Sequence, residues 1–291
     1  MRLLQKLNFK AANPKRISLS FFFILAFIFS LNHTLDDSSK HYVDKAFNRA
    51  LISFGVAKTL NGVISVAQGT EVAIQPAGVG VNFTPGQILD PVNDLVERFS
   101  WVMLASSTSL GIQKIFLTMS IWPAFNYALI FFILVGLILI FIETKKYSHT
   151  RVLILRISIL FIVLRFAVPV TALANESVYH VFLEKEYVTS THSLEQTAQQ
   201  ISQLNEIEQN YSTEQKNSSL WDDAKKIYES TADIFDINKK IKQYKLAAKE
   251  TTYHIVNLIV VFLFQTLIIP LAFIFMVYIA FKYIVKLKFE F

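Results

Sequence analysis

Four long apolar stretches interrupt the polar pattern of the chain, at Ile17–Leu35, Ile121–Ile142, Val152–Ala174 and Tyr253–Phe281. Each approaches or exceeds the ~20 apolar residues that cross the hydrocarbon core of a bilayer, so the pattern predicts four transmembrane helices. The first is the weakest, because its unbroken apolar run stops at Leu31. Basic residues precede it, and no small-x-small cleavage pattern follows Phe27-Ile28-Phe29-Ser30. That combination favours a retained signal anchor over a cleaved leader.

The two long regions between spans differ in kind. Asn175–Thr252 lacks Gly and Pro and is dense in Gln, Glu, Lys, Ser and Thr. Leu194, Ala198, Ile201, Leu204, Ile207 and Tyr211 recur at three- and four-residue steps, as do Ile227, Ile234, Ile237, Ile241, Tyr244 and Ala248. This is the period of an amphipathic helix. Ser212–Ser219 reads as a turn, and Ser219 as an N-cap for a helix opening with Trp221, Asp222 and Asp223. At 1.5 Å per residue the two arms would be ~55 Å and ~50 Å long, which matches an antiparallel helical hairpin.

In the region before Ser120, His41–Leu60 reads as an amphipathic helix carrying Val43, Phe47, Leu51, Phe54 and Ala57 on one side. Short β-branched runs follow at Val63–Val66, Val72–Ile74 and Val79–Phe83, separated by Gly and Pro, the pattern of small strands and turns. Asp90-Pro91 has the form of an N-cap with Pro at the first helical position. The helix after it aligns Val92, Leu95, Val96, Phe99, Val102 and Met103.

The organisation predicted is a mainly α membrane protein with four transmembrane helices, one small α/β outer region and one long, coiled-coil-like outer helical hairpin. In order it has a basic tail 1–16, span 17–35, an α-β-α region 36–120, span 121–142, a turn 143–151, span 152–174, the hairpin 175–252, span 253–281 and a tail 282–291.

Composition agrees with that picture. The chain has 291 residues, is 53% hydrophobic and contains 26 Phe, a profile unlike that of two soluble domains. Cysteine is absent, which removes disulfides, thiolate metal sites and Cys nucleophiles. The charge is then read segment by segment. The two tails and the turn 143–151 carry eleven basic residues against Glu143 and Glu290, whereas the two long regions carry fifteen basic residues against twenty acids. By the positive-inside rule both termini are cytoplasmic and regions 36–120 and 175–252 face outward. The net charge of +6 therefore reflects topology, and no nucleic-acid partner is expected. A basic signal anchor with cysteine-free outer regions suits a bacterial inner membrane, with the outer regions periplasmic.

Chemistry is sparse. The six His residues never fall at a metal-ligand spacing such as His-x-x-x-His, and no Gly-x-Ser-x-Gly elbow occurs. AGVGVNFTPG lacks the Lys and Ser/Thr of a phosphate loop. Asp36-Asp37 and Asp222-Asp223 occupy turn or cap positions. No cofactor, metal or catalytic residue is expected.

Two arginines in the third span stand out. Arg156 lies five residues, ~7 Å, beyond Arg151 and can snorkel to the headgroups as an interfacial anchor. Arg165 lies ~21 Å from Arg151, and its nine-residue separation from Arg156 puts the two on opposite faces. Pro169 four residues later predicts a kink. Counting inward from Phe281 gives Gln265 a similar depth, beside Pro270, so an Arg165–Gln265 pair is expected as an intramembrane polar pair or a contact to a partner or lipid. No carboxylate of this chain is expected at that depth, which points outside the chain for the counter-charge of Arg165. The functional expectation is an integral inner-membrane scaffold or assembly subunit of a cell-envelope complex. It would contact membrane lipids and other membrane or periplasmic subunits, homo-oligomer contacts included. The alternative is a channel or transporter subunit with Arg165 in an anion-attracting path.

Overall fold

The computed structural model describes residues 14–32, 34–69, 72–74, 81–83, 85–141, 148–214 and 223–286. The tail before residue 14, the tail after 286 and the hairpin tip with Ser219 and Trp221 lie outside the described residues, as do Lys145 and Lys146.

The described chain is almost entirely helical. Its helices are α1 (Pro14–Leu31), α2 (Thr34–Gly69), α3 (Asp90–Ile121), α4 (Pro123–Phe141), α5 (Ser148–Val178), α6 (Glu184–Glu214), α7 (Asp223–Leu263) and α8 (Ile269–Lys286). They follow one another as four closely spaced pairs. Asn32 and residue 33 separate α1 from α2, and Trp122 separates α3 from α4. Single turns of π-helix, Tyr179–Leu183 and Phe264–Ile268, link α5 to α6 and α7 to α8.

Among the described residues four helical stretches are long and apolar enough to cross a membrane: Thr34–Gly69, Pro123–Phe141, Thr150–Glu206 and Lys239–Ile284. Thr150–Glu206 and Lys239–Ile284 contain the third and fourth expected spans, and Pro123–Phe141 covers most of the second. The first expected span, 17–35, does not form one helix. It stops at Leu31, where the Asn32 side chain accepts from the Thr34 N–H at 3.2 Å and from the Thr34 hydroxyl, and the chain restarts as α2. The apolar helix Arg16–Leu31 is accordingly shorter than a full span.

The small α/β region is not supported. Val63–Val66, expected as a strand, continues α2 to Gly69. Between α2 and α3 the described residues form two three-residue strands, β1 (Val72–Ile74) and β2 (Val81–Phe83), antiparallel with Val72 opposite Phe83, and the 3-10 turn Pro85–Leu89. Two long helices outweigh so short a ribbon, since two isolated strands have no face to bury.

The chain divides into two compact units. The first comprises residues 1–47, 109–179 and 265–291. In it α1 and α4 run antiparallel, with the Ser30 hydroxyl on Asn126 Oδ1 at 2.5 Å and Asn126 Nδ2 on the Ser30 carbonyl at 3.1 Å. Phe23 and Ala26 of α1, Leu129 and Ile133 of α4, and Leu155 and Ile159 of α5 form its apolar core. Gly136 permits this approach, because a Cβ there would collide with the Phe23 ring. Phe161 stacks on Phe125 and Phe132 at 5.6 and 4.7 Å, and the Ser158 hydroxyl reaches the Phe132 carbonyl at 2.9 Å.

The second unit, residues 48–108 and 180–264, is a bundle of α2, α3, α6 and α7. The buried stripe of α2 here is Ala50, Ser53, Ala57, Leu60, Ile64 and Ala67; of the expected side Ala57 is buried, Phe54 half-buried and Leu51 exposed. Small residues win because they let helices approach closely. On α3, Val92, Val96, Phe99 and Met103 are buried as expected. Gly86, in the 3-10 turn before α3, sits where a Cβ would strike the Ala67 carbonyl. The expected hairpin arms are α6 and α7, packed antiparallel. Asn257 donates to Glu186 at 3.1 Å, His254 meets Ser190 at 3.2 Å, and the Tyr244 hydroxyl reaches Asn205 at 3.2 Å. Leu194, Ala198, Ile201 and Tyr244 are buried along that seam. Asn205 also donates to the Val63 carbonyl at 2.9 Å, tying α6 to α2.

Gly136→Ala is expected to cost about 1–3 kcal/mol by overpacking against Phe23. Adding Phe23→Leu should restore part of the loss. Thermal unfolding of the purified protein in detergent measures both steps, and equal loss in the single and double variants would exclude this contact as the cause.

Candidate functional site

The first unit contains an ion pair that is almost wholly out of contact with solvent. Arg165 Nη2 lies 2.6 Å from Asp36 Oδ2, with side-chain exposures of 1% and 3%. The local sequence explains how they meet. Ser158 and Phe161 fix the register of α5 against α4 at Phe132 and Phe125. Arg165, one turn beyond Phe161, is thereby level with the first turn of α4, where Asn126 bonds Ser30 at the last turn of α1. The break at Asn32 and the restart at Thr34 bring Asp36, in the first turn of α2, to that level. One turn on, the Ser39 hydroxyl donates to the Pro169 carbonyl at 3.2 Å, so α2 and α5 run parallel through the contact.

The guanidinium is incompletely satisfied. Its Nε and Nη1 have no hydrogen-bond acceptor among the described residues, while its Cζ lies 5.3 Å from the Phe166 ring centroid. A buried charge carries a large desolvation cost, and its partner offsets that cost only where geometry and further hydrogen bonds are good.

A second polar group lies farther along α5. Asn175 Nδ2 donates to the Gln265 backbone carbonyl at 2.9 Å, and the Ser109 hydroxyl donates to the Thr266 carbonyl at 3.2 Å. Pro270 lacks an N–H and leaves a gap in the helical ladder of this segment, which the π-turn and the two side-chain donors accommodate. The π-turn Phe264–Ile268 holds Gln265 fully buried, and its side-chain Oε1 and Nε2 have no partner among the described residues.

Arg165 and Gln265 are therefore not paired. Ile284 of α8 packs on the cluster that includes Leu155 and Ile159, which shifts α8 along α5 and places Gln265 beside Asn175. That is ten residues, ~15 Å, beyond Arg165. Counting depth inward from Phe281 missed this offset because it assumed a common starting plane. The expected lack of an internal carboxylate is also corrected, since Asp36 supplies one. Arg156 is half-buried on α5, away from this pair.

The sequence carried a signal for Asp36. A buried arginine demands an acid, and Asp36-Asp37 is one of few acidic pairs beside a span end. Ser39, Ser109 and Asn175 gave no comparable signal. Chemically, the arrangement can fix helix register and hold one neutralised charge. Among the described residues no group of three His, Cys, Asp or Glu is placed to bind a metal. No family model, curated protein or solved structure matches the chain.

Asp36→Asn or Arg165→Gln alone should cost about 3–5 kcal/mol, because each strands a buried polar partner. The double variant Asp36→Leu/Arg165→Met should recover most of that loss. A double-mutant cycle by denaturation in detergent reads the coupling, and additive losses would show that the two residues do not act as a pair. Gln265→Leu is expected to be neutral or stabilising, since it removes two unsatisfied buried atoms. A clear drop in unfolding temperature would show that the amide has a partner in the membrane.

Proposed function

We propose that the protein is an integral membrane scaffold or assembly subunit of a cell-envelope complex, contacting other subunits through α6, α7 and the neighbouring parts of α2 and α3. The observation that carries this reading is how the first unit uses its polar residues. Ser30, Asp36, Ser39, Ser109, Asn126, Ser158, Arg165 and Asn175 each bond to another helix. Polar residues used in this way tie helices together, whereas a solute path requires them to line a cavity. Arg165 paired with Asp36 also loses the net charge that an anion-attracting path would need, so the transport reading has no observation in its favour. The second unit supplies contact surface. Val181, Phe182 and Val188 are exposed large apolar residues, the kind that mark interaction sites.

In this reading α1, α4, the apolar part of α5 and α8 are the membrane-crossing set, and α2 owes its apolar character to the core of its bundle. Residues 36–120 and 175–252 face the periplasm of a bacterial cell, and both termini are cytoplasmic. The eleven-to-two basic excess at the tails and the turn supports that orientation. Phe23 and Ala26, buried in the core of the first unit, support retention of α1. Membrane lipids and further copies of the chain are among the proposed contacts, and coiled-coil-like pairing is proposed for α6 with α7.

Because the chain has no cysteine, single reporter cysteines test this directly. Crosslinkers at Phe182→Cys or Val188→Cys in native membranes should capture discrete protein adducts, while Leu164→Cys should capture few. Equal or absent capture at all positions, with solute flux in proteoliposomes abolished by Asp36→Asn, would replace the scaffold reading with transport. Labelling of Lys216→Cys from the cytoplasmic side would reverse the orientation.

A further inference from the structure

A groove with a volume of about 250 Å³ lies between α5 and α8 in the first unit. Leu160, Val163 and Leu164 line one side, and Val277, Tyr278 and Phe281 the other. The two helices are antiparallel, since Asn175 meets Gln265 near one end and Ile284 packs on the Leu155–Ile159 cluster near the other. Their basic residues therefore gather at one end of the groove. Arg156 lies one turn before Leu160 on the same stripe, and Lys282 and Lys286 continue the Tyr278 stripe by one and two turns. Lys282 and Lys286 are exposed and Arg156 is half-buried. Among the described residues of this unit the acids are Asp36, Asp37, Asp44 and Glu176, none of them on the turns that flank this end.

An apolar groove closed by cations at one end matches an amphiphile with an anionic head. We propose that the α5–α8 groove is a specific site for an anionic phospholipid. One acyl chain lies between Leu164 and Tyr278, and the phosphate sits on Arg156, Lys282 and Lys286. Basic pockets between transmembrane helices recognise lipid head groups in this way. The inference rests on the chain crossing a membrane and is independent of the assembly role.

The test is native mass spectrometry of the full chain in detergent with added phosphatidylglycerol or phosphatidylcholine. Phosphatidylglycerol should be retained and phosphatidylcholine lost. Arg156→Gln and Lys282→Gln should each weaken retention about fivefold, while Arg156→Lys and the distant Lys185→Gln should leave it unchanged. Leu164→Trp, which fills the groove with every charge kept, should abolish retention, and Ile274→Trp on the opposite wall should do the same. Unfolding temperatures in phosphatidylcholine identify any variant that fails to fold. Equal retention of both lipids, or retention untouched by both tryptophans, would overturn the site and leave only general surface attraction.

Discussion

The Asp36–Arg165 pair sets the terms on which the first unit can form. A guanidinium carried on an apolar helix is tolerable only where a carboxylate arrives with it, and both must leave water together. That requirement is met by the break between α1 and α2 at Asn32 and by the register of α5 on α4 that Ser158 and Phe161 set. The serine, asparagine and proline contacts nearby depend on that register. The pair contributes little net stability compared with an apolar replacement, but losing either member is expensive. It specifies an arrangement more than it strengthens one.

Around it the molecule uses two packing regimes. The first unit relies on aromatic and branched residues, with Gly136 making room for Phe23. The second buries small residues along α2, namely Ala50, Ser53, Ala57 and Ala67. Both regimes bring helices close, one by interlocking rings and the other by shrinking side chains. This explains why α2 registers as apolar enough to span a membrane while resembling a core helix. Hydropathy counts alanine and valine equally whether they meet lipid or another helix.

How much of this was legible in the sequence follows from the range of each interaction. Helix content, three of the spanning segments and the buried face of α3 are encoded locally, by apolar run length and by three- and four-residue spacing. The antiparallel arms were readable from their matched lengths. Register between helices was not. The offset of α8 along α5 depends on Ile284 finding the Leu155–Ile159 cluster, so Gln265 landed beside Asn175 and not beside Arg165. The end of α1 at Leu31 was visible as the close of an apolar run. Its consequence, the delivery of Asp36 to a buried arginine 129 positions away, was not. The strands expected between α2 and α3 were overestimated because β-branched residues also suit a tightly packed helix face when tertiary contacts favour it.

The gap in the hydrogen-bond ladder at Pro270 bears on the order in which neighbouring helices can pack. The carbonyls of Thr266 and Gln265 take side-chain donors from Ser109 and Asn175, which lie 157 and 90 residues earlier in the chain. In hydrocarbon a backbone carbonyl without a donor is costly. The segment from Gln265 onward is therefore best accommodated against α3 and α5, both of which are synthesised before it.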